Sequence, residues 1–387
     1  MRALGGSIPA VQVIRFIRDA NGARVAYAMV GEGPLILCPA WWVSHVERDW
    51  EHPAFRRFFT RLAEGFRVVR YDRPGTGLSD RDVPPRTLAD EVQLLATIAD
   101  AIGDSQFSLF AVSCAGPVAL SYAAAHQERI RRLCFYGSYA DGSDIATPDL
   151  RDALTNLVTA HWGLGSVALT AIFLPGASPQ DSEEFSRNQR YWANAEQAAQ
   201  LLRLSCDMNA VDVLSSAGAE ALVLHRRKDR AIPIEAGQRL AAELPRARLI
   251  TLDGDIHLPW VDGDAIADTI HSFLAGEEKP ATKSSATSSG CRLDEANREI
   301  VLDGQHRPTT PLEYAVMSAL IQASGRVVTR DEMLAEIWNT PVAGSNKVDA
   351  VVGSLRKKLG PFAASIETVT GHGYRFRGWK KAINDVP

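Results

Sequence analysis

No stretch of this 387-residue chain stays apolar for 18 residues or more, so nothing in it reads as a membrane-spanning helix. The start, MRALGGSIPAVQVIRFIRDANG, has charges on both sides of a short apolar-leaning stretch and lacks the long apolar core of an export signal. The chain is therefore expected to stay in the cytoplasm. Cysteine is scarce. Cys38, Cys114, Cys134, Cys206 and Cys291 are odd in number, far apart and mostly inside apolar runs, which excludes a disulfide framework and suits reduced thiols. None forms a zinc-type pair, and neither metal nor cofactor is expected. Surplus charge is also missing: a net −4 argues against a generally basic nucleic-acid coat or a polybasic anchor, so any nucleic-acid contact must be local. There is no internal repeat of solenoid period. What is present is ordinary globular composition, 46% hydrophobic and 23% charged, at a length that calls for more than one core.

The compositional break is GEEKPATKSSATSSG, residues 276–290, which has no apolar residue larger than alanine and reads as a flexible linker. Residues 1–275 carry 27 basic against 33 acidic side chains, and residues 291–387 carry 13 against 11, so the C-terminal part is mildly basic on an otherwise acidic chain. Before the linker, unbroken apolar runs such as PLILCPA, FRVVRYD, FSLFAVS and ALVLHRR alternate with amphipathic helix patterns. That alternation predicts an α/β fold with a mainly parallel sheet covered on both faces. VQVIRFIRDANGARVAYAMV reads as an antiparallel hairpin turning at Asn21-Gly22. Residues 147 to about 214 interrupt the rhythm with helical, aromatic-containing sequence, the pattern of a lid.

FSLFAVSCAGPVAL ends a buried strand at Ser113 and starts a helix almost at once, the setting of a nucleophile elbow. The usual elbow has glycine two residues before and after the serine; here Ala111 and Ala115 stand there, which puts turnover in question more than fold. Asp229 follows one buried strand and His257 the next, giving the order Ser, Asp, His on loops at one sheet edge. Histidine takes the serine proton only if a carboxylate holds its other nitrogen; Asp229 is the first candidate, with Asp141 and Asp144 as alternatives. The backbone amides of Trp41 and Cys114 are the expected oxyanion donors. Trp42, His45 and Trp260 are expected to line a pocket for an apolar ligand with one polar reactive group.

Through AVSCAG, YDRPGTGLSD, KDRAIP and GDIHLPW, residues 10–275 resemble the alpha/beta-hydrolase superfamily. CPAWWVSHVE and DGDIHLPWVDGD bring the resemblance nearest to the subgroup found as N-terminal sensor domains of bacterial regulators and cyclases. The resemblance implies a hydrolase fold with a helical lid and a retained triad.

After the linker, Thr310-Pro311-Leu312-Glu313 and Thr329-Arg330-Asp331-Glu332 read as capping boxes that start two helices. A third helix is predicted from Asn346 to Leu359, with Val348, Val352, Leu355 and Leu359 as its buried stripe. On this reading Lys347, Val351, Ser354 and Lys358 face outward, with Asn346 and Lys357 beside them. IETVTGHGYRF reads as a hairpin carrying Thr370, His372, Tyr374 and Arg375. Through TTPLEYAVMSAL, GRVVTRDEMLAEIW, VDAVVGSLRKKLG and IETVTGHGYRF, residues 291–380 resemble the winged helix-turn-helix DNA-binding domain of OmpR/PhoB-type regulators. The resemblance implies that the third helix reads the major groove of double-stranded DNA and the hairpin is the wing.

Three readings follow. In the first, the chain is a transcriptional regulator whose hydrolase-like domain binds, with or without slow hydrolysis, an apolar ester, lactone or related signal, acting as a homodimer. In the second it is an active serine esterase, lactonase or amidase with the winged helix as an accessory. In the third, the winged helix binds a protein instead of DNA.

Overall fold

The computed structural model describes residues 11–276, 291–294, 299–302, 305–323, 326–338 and 345–377. They fall into two compact units, within Met1–Glu278 and Lys279–Pro387. The segment read as a linker lies almost wholly outside the described residues.

The first unit is built on eight strands: β1 (Val13–Arg18), β2 (Arg24–Val30), β3 (Leu35–Cys38), β4 (Arg67–Tyr71), β5 (Phe107–Val112), β6 (Ile130–Tyr136), β7 (Glu220–Arg226) and β8 (Ala247–Leu252). They line up in one sheet in the order β1-β2-β4-β3-β5-β6-β7-β8. β1 and β2 form the antiparallel hairpin, β2 meets β4 antiparallel, and every pairing from β4 to β8 is parallel. Alternation along the strands feeds two cores. Leu35, Leu37, Leu109, Phe135 and Val223 point to one face, under helices α3 (Leu88–Ile102), α4 (Gly116–Ala125) and α9 (Ile234–Glu243). Ile36, Cys38, Phe110, Cys134 and Leu222 point to the other, under α2 (Pro53–Leu62), which follows the short α1 (Arg48–Glu51), and α10 (Asp264–Ala275). Strands buried on both faces explain why their sequences are unbroken apolar runs.

Between β6 and β7 the chain makes four helices, α5 (Pro148–Ala160), α6 (Trp162–Phe173), α7 (Pro179–Trp192) and α8 (Ala195–Asp207). Thr147, His161, Ser178 and Asn194 start them, each side chain accepting the amide three residues on. No helix among the described residues is long and apolar enough to cross a membrane.

In the second unit β9 (Cys291–Asp294), β10 (Glu299–Leu302) and β11 (Gln305–Pro308) form an antiparallel sheet. Three helices follow, α11 (Pro311–Gln322), α12 (Arg330–Trp338) and α13 (Ser345–Leu359). β12 (Val328–Thr329) precedes α12 and pairs with β14 (Gly373–Phe376), the second strand of a hairpin with β13 (Ile366–Val369). Val316, Leu320, Met333, Val348, Val352 and Leu355 lie in its core. Both predicted capping boxes form: Thr310 Oγ1 and Thr329 Oγ1 accept the amides of Glu313 and Glu332, whose carboxylates accept from the threonine amides at 2.7 Å.

Candidate active site and nucleic-acid interface

Ser113 follows the last residue of β5 and opens the 3₁₀ turn Ser113–Ala115 that runs into α4. Its φ is +57°, a left-handed value that costs an L-residue about 1–2 kcal/mol. Ser138 Oγ donates to the Ser113 carbonyl at 2.6 Å and braces the turn. Ala111 and Ala115 are fully buried, so their methyl groups fit without glycine. The intolerant position is Gly116, where an added Cβ would stand 2.1 Å from Ser138 Oγ. The turn therefore keeps its geometry while departing from the usual motif.

His257 is 3% exposed, and its Nδ1 lies 2.8 Å from Asp229 Oδ2. The other oxygen, Oδ1, accepts from the amides of Ala231 and Ile232 at 2.9 and 3.2 Å, which fixes the carboxylate plane. Burial alone would raise the Asp229 pKa, but the His257 imidazole, with smaller contributions from His225 and the Ile232 amide, outweighs it and holds the group below its ordinary value. Asp141 and Asp144 are occupied elsewhere: Asp141 caps a turn at Ser143, and Asp144 pairs with Arg239. Gly137 makes room for the dyad, since a Cβ there would sit 3.1 Å from both Asp229 Oδ2 and His257 Cε1. His257 Nε2 is buried without a hydrogen-bond partner, and both His257 and Ser113 line the same cavity.

The Cys114 amide belongs to the first turn after β5, where helix N–H groups have no intrahelical acceptor. Trp41 lies just beyond β3. Arg73, fully buried, donates to the Ala40 carbonyl. In a trans peptide the C=O and N–H point in opposite directions, so gripping that oxygen aims the Trp41 amide away from Arg73. The preceding residue, Asp72, accepts from Ser44 Oγ (2.7 Å) and the amides of Val46 (3.0 Å) and Leu78 (2.9 Å), tying down the loop that carries Trp41.

The cavity, about 410 Å³, is lined by Trp41, Trp42, Trp260, Phe173, Phe185 and Trp192 among others. Helix α6 closes directly on the histidine: the His257 amide donates to the Phe173 carbonyl at 2.9 Å, and the two rings stack 5.6 Å apart. His45 does not line this cavity. Its Nδ1 accepts from the Arg48 amide at 3.2 Å and its ring packs on Tyr191, so it serves the start of α1 instead. Its position beside Trp42 in sequence did not reveal that its ring turns back toward the following helix.

On α13 the structure corrects the predicted outward face. Ser354 Oγ and Lys358 Nζ both reach Glu313 at 2.7 Å, on α11, and Lys358 also bonds the Pro308 carbonyl. Val351 is half-buried against the core. Among the described side chains of α13 the exposed ones are Lys347, Ala350 and Lys357; those of Ser345 and Asn346 lie outside what is described. Tyr374 is likewise internal, 4% exposed, with its hydroxyl donating to Asp349 at 2.6 Å. Arg375 pairs with Glu367 at 2.9 Å, whereas Thr370 and His372 are exposed at the hairpin tip.

Residues 35–269 match the model of the Alpha/beta hydrolase family, more than half of the chain. The chain belongs to that family. Residues 304–376 match the model described as Transcriptional regulatory protein, C terminal. The hydrolase-family chain is 26% identical over 263 residues to the pimeloyl-[acyl-carrier protein] methyl ester esterase of Xanthomonas campestris, covering 64% of this chain and 97% of that one. It is 37% identical over 87 residues to the transcriptional regulatory protein CutR of Streptomyces coelicolor, which is 22% of this chain and 40% of CutR. Its fold matches that of an esterase from Exiguobacterium antarcticum with a TM-score of 0.60 at 18% identity, covering 67% of this chain and 98% of that one. The chain thus joins an alpha/beta hydrolase domain to an OmpR/PhoB-type winged-helix DNA-binding domain.

Sequence reasoning did not single out Arg73, Ser138, Gly116 and Gly137 in this hydrolase-family chain. Arg73 was visible only as part of YDRPGTGLSD, and the two glycines as small residues flanking strand ends. Their roles depend on which side chain arrives opposite them, which is a tertiary fact. Among the described residues no three His, Cys, Asp or Glu side chains gather as a metal-holding group.

Proposed function

We propose that this protein is a transcriptional regulator whose hydrolase domain takes up a small, largely apolar ester, lactone or related signal, and whose winged helix binds double-stranded DNA. One observation carries the reading: an aromatic cavity with Ser113 and the Asp229-held His257 in its wall belongs to the same chain as a DNA-binding regulator domain. His257 Nε2 takes the Ser113 proton as the hydroxyl attacks the ligand carbonyl, Asp229 stabilises the imidazolium, and the amides of Trp41 and Cys114 receive the oxyanion. Because α6 holds the His257 amide through Phe173, occupation of the cavity acts on the helices above it as well as on the dyad. A ligand shifts the DNA-binding state only so far as it favours one arrangement of those helices, or of a homodimer, over another.

The intact dyad favours a second reading, an esterase in which turnover resets the signal. A fluorophosphonate probe and p-nitrophenyl esters separate the two. Labelling and ester cleavage that vanish in Ser113→Ala establish the nucleophile; absence of both in the unaltered protein leaves a binding-only receptor. A gel shift at ~50 mM salt on the promoter beside the protein's own gene tests the other half, and no retardation with or without probe counts against DNA binding.

A further inference from the structure

Four buried side-chain atoms in the wall of the hydrolase cavity have no hydrogen-bond partner: His257 Nε2, Asp49 Oδ1, Gln189 Oε1 and Trp192 Nε1. The first belongs to the dyad. Gln189 and Trp192 lie three residues apart on α7, on the face that also carries Phe185, and all three line the cavity. Gln189 is 0% exposed and Trp192 8%.

The Gln189 amide has one possible orientation. Its Nε2 donates to the Ser166 carbonyl at 3.1 Å and to Thr170 Oγ1 at 2.8 Å, while Thr170 gives its own proton to Ser166. Turning the amide over would set Oε1 against the Ser166 carbonyl, acceptor against acceptor. Oε1 is therefore left as a free acceptor one helical turn from a free donor, the Trp192 N–H. Buried polar atoms without partners are costly, and a complementary pair of them on neighbouring residues of a cavity wall offers a ligand group two bonds that the protein leaves unmade.

We infer that α7 carries a recognition pair, Gln189 as acceptor and Trp192 as donor, for a ligand group that itself both donates and accepts: an amide or a hydroxyl set apart from the carbonyl that meets Ser113. This rests on the cavity being a ligand site, as proposed above. It narrows the signal from an apolar ester or lactone to one bearing such a second polar group.

Full-length Ser113→Ala, which binds esters without turning them over, is titrated calorimetrically with three methyl esters of equal chain length: methyl N-hexanoylglycinate, methyl 3-hydroxynonanoate and methyl nonanoate. The amide or the hydroxyl ester is expected to bind about tenfold or more tightly than methyl nonanoate, and whichever is preferred names the class. Adding Trp192→Phe, which keeps an aromatic ring but removes the N–H, is expected to cut that preference, read as the ratio of the two affinities, below about threefold, whatever the smaller ring does to the affinity for methyl nonanoate alone. Equal binding of all three esters overturns the recognition pair and leaves the cavity reading standing. No binding of any ester overturns both. The ligand comparison needs no alteration of α7, so it decides even if Trp192→Phe does not fold; a preference that survives both Trp192→Phe and Gln189→Leu also overturns the pair.

Discussion

Asp49 and Asp229 are carboxyl groups buried in one domain, and their neighbours push them in opposite directions. Burial raises both. At Asp229 the imidazole of His257, helped by His225 and the Ile232 amide, more than offsets it and holds the pKa below its ordinary value. At Asp49 the nearby Asp72 adds to burial, Arg70 offsets only part, and the pKa is pushed up to about 8. The signs for stability therefore differ. Asp229 contributes above the unfolded carboxylate value, and that contribution is lost as pH falls through its lowered folded value. Asp49 contributes nothing unfavourable below the unfolded value, and its cost grows as pH rises from there toward about 8. Asp49→Asn, which keeps an oxygen for the His45 amide, is expected to gain roughly 2–5 kcal/mol over the unaltered protein at high pH and little near pH 4. Thermal melts at the two pH values check this; an equal difference at both would show that the carboxyl does not titrate in this way.

At the scale of the element, α13 shows how far a periodic pattern carries. The stripe of Val348, Val352, Leu355 and Leu359 is buried as its spacing predicts. The spacing marks the centre of the buried strip and leaves its width open. Ser354 and Lys358 flank that centre and bond Glu313 on α11, and Val351 packs half-buried on the core, so all three turn inward. Glu313, a capping-box residue in sequence, is also the hub that binds Ser354 and Lys358. Burial opposes its ionisation, but these bonds and Thr310 bring its pKa down to about 2. The stabilisation is full above the ordinary value of 4.5 and is lost as pH falls toward 2. Lys347→Ala and Lys357→Ala are each expected to weaken DNA binding evenly across sequences and to lower the salt slope by about one unit. Lys358→Ala should instead destabilise the winged-helix unit, by about 1–3 kcal/mol. Gel shifts over a salt series together with urea unfolding distinguish the two effects, and the assignment falls if Lys358→Ala matches the other two in both measurements.

For the whole molecule the governing quantity is the coupling between ligand uptake and DNA binding. Linkage makes it reciprocal. If a methyl ester probe changes DNA affinity of the Ser113→Ala protein by some factor, DNA must change probe affinity by the same factor, and allosteric couplings typically span about 5–150-fold. Both directions are measurable, by gel shift with saturating probe and by calorimetry with saturating DNA. Two independent affinities would mean that the two units act separately and would leave the esterase reading with an accessory winged helix.

The amino-acid order by itself determined two domains, their fold classes, the strand-to-helix turn at Ser113, the order Ser113, Asp229, His257 and the helix starts, because these rest on local periodicity, capping chemistry and short motifs. It left three carboxylates open as partners of His257, set His45 beside the cavity, and turned α13 slightly the wrong way. Those points were decided only by tertiary structure. Which acid reaches a histidine, which ring faces a cavity and which side of a helix meets its neighbour depend on segments far apart in the chain, such as Asp229 with His257 and Glu313 with Lys358. No local pattern encodes such a meeting, since packing of the whole domain sets it.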